Sequence, residues 1–354
     1  MTKLLRYFNF RHSRLNESFE QVRHSKLKAL ISYLFLIIIL FSCNSNRHDV
    51  DLSDIKIDDI KIKRYGKTLF SIDPNNIKAE LSQLSDEYYF FLGNEFEDTL
   101  NLIKIHDYVT DSSLIELSIA CNEKYPDLTD IESQLTSAFK HYKYYFPEKS
   151  IPEVYTYLSG LYYEYPVQIV DDVMIIALDM FLGIDFLPYW QIGLPKYQIR
   201  RFEKEYLVND CMNEIMLTEF NNPPEKTFLD KMINEGKRLY FLEAVMPETP
   251  DSIKIGYTKS QIEWCENNES NVWAFFIENE LLYSPDFQYT SKFINDGPFT
   301  SAFSNESPAK IGIWVGWQIV KAYMNNNKDV NLNELMKITD SQQFLSDSKY
   351  KPKK

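Results

Sequence analysis

The sequence predicts an α+β protein, with a small mixed β-sheet followed by a mainly helical half. Short runs rich in Val, Ile and Tyr that end at glycine are concentrated in residues 151–183, as expected for strands. From residue 196 onward, apolar residues recur at helical spacing instead. The chain has 354 residues and is 44% hydrophobic, so it is long and apolar enough to bury a sizeable core.

The first half is predicted to contain both strands and helices. Residues 55–73 alternate apolar and charged side chains, which indicates a strand or hairpin. Helices are predicted over 76–96 and 130–146, and strands over 151–160 and 167–183. Within the last range, the nearly all-apolar run MIIALDMFLG is typical of a central strand, because such a strand is covered on both faces.

The second half is predicted to be helical. The expected helices, in chain order, are 198–218, 225–245, 258–282, 308–324 and a short one at 331–338, capped by Asn331 or Asn333. No Gly/Ser-rich spacer separates the two halves. We therefore expect residues 55–354 to form a single domain of two lobes, an α/β lobe to about residue 190 and a helical lobe after it.

The N-terminus differs in charge from the rest of the chain. Of the 38 basic and 51 acidic residues, seven and two lie in the first 42, which leaves 31 and 49, a net charge of −18, for the remainder. Residues 1–25 are predicted to be an N-terminal extension. Residues 26–42, a basic start followed by an apolar run, are predicted to be a signal peptide. The acidic remainder argues against nucleic-acid binding through a basic surface.

The apolar run ends in Leu40-Phe41-Ser42-Cys43, which resembles a bacterial lipobox, although Phe41 replaces the usual small residue. We expect Cys43 to be acylated, with chains such as palmitate, and to become the mature N-terminus. Residues 43–54 would then be a lipidated tether, because they are polar and lack periodicity. The alternative is an ordinary apolar anchor that contains a cysteine.

The stretch KTFLDKMINEGKRLYFLEAVMPETP, Lys226 to Pro250, is predicted to be one amphipathic helix ended by prolines. Glu235 and Gly236 lie inside it, where a glycine lowers helix propensity. One interpretation is that another element packs closely on Gly236. The other is that Glu235 and Gly236 are the remainder of a zinc site, because a Glu-Gly pair supplies the third zinc ligand in peptidases built on an HExxH helix.

The preceding predicted helix contains Asn209-Asp210-Cys211-Met212-Asn213 at the offset where HExxH is expected. Asparagine is a poor zinc ligand, and Asp210 is one methylene shorter than the usual glutamate base. Asn209, Asp210 and Asn213 are therefore either the solvated side of an amphipathic helix or a degenerate metal pocket.

The chain offers few other metal ligands. The histidines are His12, His24, His48, His106 and His141, none of them in the second half. The cysteines after the lipobox, Cys121, Cys211 and Cys265, have no metal-binding spacing and are expected to be buried thiols or at most one bridge. We expect no metal and no cofactor. Abundant carboxylates leave a hydrolase open, with Asp210 and Glu235 as candidates.

Three blocks carry a resemblance to a known family. They are FLDKMINEGKRLYFLEAVMPETPDSIKIGYTKSQIEWCENNESNVWAFFIENELLYS, GPFTSAFSNESPAKIGIWVGWQIVKAYM and, near the end, SDSKYKP. Together with the lipobox and MIIALDMFLG, they resemble the gliding-motility lipoprotein family GldB of the Bacteroidetes over about residues 40–352. That family is also distantly similar to zinc peptidases that carry HExxH, which implies a zincin-like fold.

The likeness to zinc peptidases implies a vestigial pocket that has lost its histidines and holds no catalytic residue and no metal. Its expected members are Asn209, Asp210, Asn213, Glu235, Gly236, Gly316 and Trp317. In the zinc relatives, a stretch similar to KIGIWVGWQIVKAYM lines the substrate groove. The alternative is helix-on-helix core packing, since Gly312 and Gly316 are four residues apart and permit close backbone approach.

The family resemblance implies a membrane-anchored envelope lipoprotein needed for gliding and for the linked type IX secretion machinery. Its partners would be other envelope proteins of that machinery, and the membrane through the lipid anchor. Residues 44–46 lack the acidic run of a surface-export tag, so the domain is expected to face the periplasm. Candidate anchors for a protein contact are Trp264, Trp273, Trp314 and Trp317, although most of the four are expected to lie in the core.

Overall fold

The computed structural model of the protein describes residues 47–93, 98–220 and 224–353. The chain from Val50 onward forms one compact unit. The predicted N-terminal extension, the signal peptide, the lipidation site Cys43 and the first residues of the tether lie outside the described residues. Within the described ranges, no helix is both long and apolar enough to cross a membrane.

The first half combines strands and helices. The described strands are β1 (Ile62–Lys63), β2 (Glu153–Tyr157), β3 (Val167–Val170) and β4 (Val173–Ala177). The described helices are α1 (Tyr65–Leu69), α2 (Ile77–Leu84), α3 (Tyr89–Leu92), α4 (Thr99–Thr110), α5 (Ser112–Lys124) and α6 (Thr129–Tyr145).

The second half is helical throughout its regular structure. Its described helices are α7 (Leu187–Gln191), α8 (Lys196–Ile199), α9 (Leu207–Glu219), α10 (Phe228–Val245), α11 (Asp251–Ile255), α12 (Lys259–Glu278), α13 (Phe287–Phe293), α14 (Ile311–Asn326), α15 (Leu332–Lys337) and α16 (Ser341–Ser348). The predicted α+β class, a small mixed sheet before a mainly helical half, is therefore confirmed.

The sheet has the strand order β1-β2-β4-β3, in which β1, β2 and β4 are parallel and β3 is antiparallel to β4. The predicted central position of MIIALDMFLG is confirmed, because β4 lies between β2 and β3. The predicted length is wrong. The strand ends at Ala177, and Leu178–Met180 form a 3₁₀ turn that carries the rest of the apolar run into the core.

The two faces of the sheet contribute to different hydrophobic clusters, as the period-2 alternation of a strand requires. Val154 and Met174 belong to the main core, which continues across residue 190 and joins both halves of the chain. Tyr155, on the other face, packs in a smaller cluster with Tyr65 and Tyr88. The sheet is thus covered on both faces.

The prediction of a strand or hairpin over 55–73 is wrong outside β1. The backbone N–H of Ile60 donates to Thr136 Oγ1 at 2.9 Å, and that of Ile62 donates to Glu132 Oε1 at 3.0 Å. Side chains of α6 thus satisfy the backbone groups that a second hairpin strand would otherwise pair. The chain then turns into α1, where Gly66 lies against the backbone of Tyr157.

One predicted helix is interrupted by a buried side chain, and two other helices were not predicted. The helix predicted over 76–96 is broken into α2 and α3, because Tyr88 between them turns inward to pack on Tyr65 and to bond Thr68 at 3.0 Å. The helices α4 and α5 were not predicted. The sequence features that could have predicted them are the capping residues Asp98 and Asp111, whose carboxylates accept hydrogen bonds from the first free backbone N–H groups.

The predicted helix 198–218 is correct only at residues 198–199, which end α8, and from Leu207 onward, since two 3₁₀ turns lie between α8 and α9. Glu203 between those turns has an extended backbone, and its carboxylate accepts from the N–H of Ile184 at 2.7 Å. The predicted helices that correspond to α10, α12 and α14 are confirmed, as is the Asn331 cap of α15. Thr227 caps α10 through a capping box with Asp230.

Candidate functional site

Helices α9 and α10 are joined by one guanidinium group. Arg238 Nε donates to Glu235 Oε2 at 2.7 Å, one helical turn earlier on α10. The Nη1 atom of Arg238 donates to Asn213 Oδ1 on α9 at 2.6 Å. Asn213 and Glu235, both predicted site residues, therefore lie on two sides of the same cationic group.

A second ion pair lies one helical turn before Asn213. Arg201 Nη2 donates to Asp210 Oδ1 at 3.2 Å, and the side-chain amide of Asn209 donates to the same oxygen at 3.3 Å. Burial raises the pKa of Asp210, while the charges of Arg201 and Arg238 oppose that rise. Asp210 and Glu235 thus converge on one polar region, and each is paired with an arginine.

Lys310, the residue before α14, adds a third cation. Its ammonium lies 3.5 Å from Asp296 Oδ1, and burial lowers its pKa to about 8, with Arg201 and Arg238 adding to the shift. We call these three cations and three carboxylates the α9–α10 ion cluster: Arg201, Asp210, Glu235, Arg238, Asp296 and Lys310. The charges balance, so the carboxylates are internally neutralised.

Gly236 faces α14 rather than α9, and lies in contact with its backbone. A Cβ atom added to Gly236 would overlap the carbonyl oxygen of Gly316 and lie 2.8 Å from the backbone nitrogen of Trp317. A Cβ atom added to Gly316 would overlap the carbonyl oxygen of Met232. The two glycines let the α10 and α14 backbones touch, so the packing interpretation accounts for Gly236.

Trp317, on α14, takes part in a separate polar group with Glu243, which lies further along α10. Its indole Nε1 donates to Glu243 Oε2 at 3.1 Å, and the ammonium of Lys321 lies 3.8 Å from its ring centroid. The structure therefore brings Asn209, Asp210, Asn213 and Glu235 together, joins Gly236 to Gly316, and places the Trp317 side chain elsewhere.

The tryptophans proposed as partner anchors are mostly inaccessible. Trp314 and Trp317 are buried in the helix–helix core, so neither is available for a protein contact, which agrees with the expectation that most of the four lie in the core. Trp264 and Trp273 are half-buried against the same core. Trp190, which was not singled out from the sequence, is 43% exposed.

The site does not fit a zinc ion. Across the described ranges, no group of three or more His, Cys, Asp or Glu side chains is arranged to hold a metal. Asn209 and Asn213 offer amides where imidazoles would be needed. Glu235 is occupied by Arg238, and the three nearby cations would repel a divalent ion. We therefore assign no metal-dependent step to these residues.

Sequence reasoning missed the three cations of the cluster. Arg238 carried a usable signal, because it lies three residues after Glu235 and so on the same side of a helix. Arg201 and Lys310 carried none, since both come from connecting segments that only the tertiary structure brings to α9 and α10.

A family model described as "Gliding motility protein GldB" matches residues 45–352. The chain belongs to the GldB family. No curated protein and no solved structure matched it significantly. The GldB match covers nearly all of the compact unit, including the sheet, the ion cluster and the glycine contact, so the family is defined by this whole fold rather than by a short motif. The family name identifies a gliding-motility-related lipoprotein associated with the cell envelope.

Proposed function

We propose that this GldB protein is a lipid-anchored envelope component that supports gliding motility and the associated type IX secretion machinery as a non-catalytic, pseudo-peptidase scaffold. The family match over residues 45–352 supports the link to motility. The guanidinium of Arg238, which lies between Asn213 and Glu235, is the observation that supports a non-catalytic role.

The argument against catalysis is electrostatic. A metal-dependent peptidase needs neutral or anionic ligands around an open coordination position. Here the corresponding positions carry amides, and the carboxylate of the Glu-Gly pair is bound to an arginine. Asp210 and Glu235 are also each paired with an arginine, and a neighbouring cation makes a carboxylate a weaker base.

The proposed anchor is the acylated Cys43 and the proposed location is the periplasmic face of a membrane. A tether from Asn44 to Asp54 extends about 35 Å at most, so partners should lie close to that membrane. The net charge of −18 after the signal peptide disfavours docking on anionic headgroups and favours a protein with a basic or apolar face.

One observation favours the alternative, an envelope hydrolase of peptide or peptidoglycan that uses carboxylates. Asp210 and Glu235 lie in the same cluster, and the raised pKa of the buried Asp210 is a property of many general acids. Conservative amide substitutions distinguish the two proposals, because they remove proton transfer but keep the side-chain shape.

The test is complementation of a clean deletion strain in a gliding cell that has no close paralogue. We expect deletion to reduce colony spreading and type IX secretion, and the wild-type gene to restore both. The Asp210→Asn/Glu235→Gln double variant should restore them equally if the protein accumulates to the wild-type level. Cys43→Ala should fail, with loss of fatty-acid labelling.

Two outcomes contradict the proposal in different ways. Normal spreading and secretion in the deletion strain would exclude the motility function. A folded, abundant double variant that does not restore spreading would exclude the scaffold mechanism and favour the hydrolase.

A further inference from the structure

Two neighbouring segments expose large apolar side chains to solvent. The first is the connection between β2 and β3, residues 159–166, and the second is residues 187–192, which contain α7. Each side chain is at least 41% exposed: Tyr162, Tyr163, Tyr165, Leu187, Trp190 and Ile192. We call these six residues the aromatic surface. None of them contributes to the ion cluster or to the glycine contact.

Both segments are attached to one buried residue, Asp179, which follows β4. Its carboxylate accepts from the N–H of Ser159 and from the N–H of Leu161, both at 2.8 Å. Its carbonyl oxygen accepts from Tyr189 Oη at 2.5 Å, and Tyr189 is the buried residue of α7. The two exposed segments therefore lie beside each other on a rigid support.

The 159–166 connection also adopts an unfavourable backbone conformation. Gly160 and Leu161 have φ values of 72° and 65°, in the left-handed region. This region is unfavourable for a leucine, because its Cβ comes too close to the following carbonyl oxygen. The hydrogen bond from Leu161 to Asp179 keeps the chain in this shape, which directs four consecutive residues, Tyr162 to Tyr165, into solvent. Strain of this kind is concentrated at functional positions.

The exposed charges within the two segments are carboxylates. Residues 159–193 contain five carboxylates and no Lys, Arg or His, but two of the five lie in the β3–β4 turn at the other end of the sheet and Asp179 is buried. Lys124, on α5, is a nearby cation, with its ammonium 3.4 Å from a Cβ atom built on Gly183. Two of these carboxylates, Glu164 and Asp185, are exposed within or next to the two segments. A partner that carries Lys or Arg would gain ion pairs with them and cation–π contacts with the tyrosine faces.

The position of the surface favours a protein over the membrane as its occupant. Residues 57–61, which lead into β1, lie beside Ile151, Pro152 and Glu153, at the start of β2. The 159–166 connection follows the other end of β2. The aromatic surface is thus at the end of the sheet remote from the point where the tether joins, and its carboxylates repel anionic headgroups.

The mixture of side chains also favours a protein over a glycan. Sugars stack on flat aromatic faces, whereas the exposed Leu187 and Ile192 gain energy only when an apolar surface covers them. Tyr and Trp are the residues most enriched at protein-binding hot spots.

We propose that the aromatic surface docks a basic segment with apolar side chains from another envelope protein. The inference rests on the proposed scaffold function and specifies the chemistry of its partner. Binding would need little ordering of this chain, because Asp179 already fixes both segments.

The first arm of the test is cross-linking in living cells from a photoreactive amino acid at Tyr163. The matched control position is Tyr144, which is 42% exposed on α6. We expect one discrete product at position 163 that is absent at 144, with a captured peptide that is net basic. Identical products at both positions, a net acidic peptide, a product with a second copy of this chain, or cross-links to lipid alone would overturn the proposal.

The second arm uses a synthetic peptide of the captured sequence and the purified mature protein. We expect Tyr162→Ala/Tyr163→Ala, Leu187→Ser/Ile192→Ser and Glu164→Lys/Asp185→Lys each to weaken peptide binding about tenfold or more, and Tyr144→Ala to leave it unchanged. Unchanged binding in the three folded surface variants would overturn the proposal. Loss in only one of the two apolar variants would exclude a single joint surface.

The two proposals fail separately. If deletion reduces spreading but the surface variants still restore it and bind the peptide, the scaffold function stands and this surface is wrong. If deletion has no effect on spreading while the surface variants lose the peptide, the surface stands and the motility function is wrong.

Discussion

Helix α10 meets α9 and α14 in opposite ways. Toward α14 it presents Gly236, so that the backbones of the two helices touch at Gly316. Toward α9 it presents Glu235 and Arg238, and contact is made through long polar side chains that reach Asn213. Glu235 and Gly236 are consecutive in the sequence, yet they serve different interfaces.

Different physical effects determine the two helix–helix contacts. Excluded volume fixes the α10–α14 contact, because a methyl group cannot enter without separating the two backbones. Charge pairing fixes the α9–α10 contact, and the exposed fractions of the paired side chains, 18% for Arg238 and 29% for Glu235, show that water reaches it. The side of α10 that faces α14 should tolerate almost no substitution, whereas the side that faces α9 should tolerate conservative ones.

The largest expected effect is at the glycine contact. Gly316→Ala should destabilise the protein by about 3 kcal/mol or more, because the added methyl group overlaps the carbonyl of Met232. Gly236→Ala should have a somewhat smaller effect of the same sign. Denaturant unfolding of the purified variants measures both.

The matched control for the glycine substitutions is Gly297→Ala, where the nearest atom to an added Cβ is 3.8 Å away. It should change the stability by about 0.5 kcal/mol or less. If Gly316→Ala were as mild as this control, close backbone packing would not be the reason for the glycine pair.

The next largest effect on stability is expected where α10 contacts the C-terminal segment. Lys237 is buried there and donates to the carbonyl of Ile338, and burial lowers its pKa to about 8. Because the unfolded chain holds this proton up to about pH 10, unfolding is linked to proton uptake by Lys237 between about pH 8 and 10, and the contribution of Lys237 to the stability should rise with pH in that window. The buried thiols of Cys121, Cys211 and Cys265 contribute a fall in the same window, because burial raises their pKa values and unfolding releases their protons.

Lys310 lies on the polar side of α10, and its pKa is also lowered to about 8, so its contribution to the stability should rise with pH in the same way. Each lysine should account for about 2 kcal/mol over the window. Lys237→Met and Lys310→Met should each lower the slope of unfolding free energy against pH by about 1 kcal/mol per pH unit relative to the wild type. A slope that neither variant changes would mean that other groups cause it.

The smallest effect is expected at the ion pair. Arg238→Met should destabilise by about 1 to 2 kcal/mol, because it leaves Glu235 and Asn213 without their donor in a partly buried site. A double-mutant cycle with Glu235→Gln should give a coupling of about 1 kcal/mol. Lys61→Met, at a pair whose lysine is 74% exposed, is the control and should cost less than about 0.5 kcal/mol.

If the coupling energy between Arg238 and Glu235 is no larger than the stability loss of the Lys61→Met control, the guanidinium does not organise the cluster. A loss as large as that of Gly316→Ala would instead mean that both sides of α10 are equally intolerant, and the contrast between them would be wrong.

The sequence alone determined the features that depend on local pattern. The α+β class, the central position of β4 and the cores of α10, α12 and α14 follow from periodicity and capping, because a helix or strand buries whichever face its own sequence makes apolar. The pairing of Glu235 with Gly236 also marked α10 as the helix to consider.

Only the tertiary structure decided how those elements meet. Whether Gly236 faced a ligand or a backbone depended on where α14 crosses α10, and that crossing joins residues eighty positions apart. Arg201 and Lys310 enter the ion cluster from separate connecting segments, and the aromatic surface exists because Asp179 ties two segments together. A sequence pattern reports which face of an element is buried, but long-range packing chooses its partner, because many partners satisfy the same pattern.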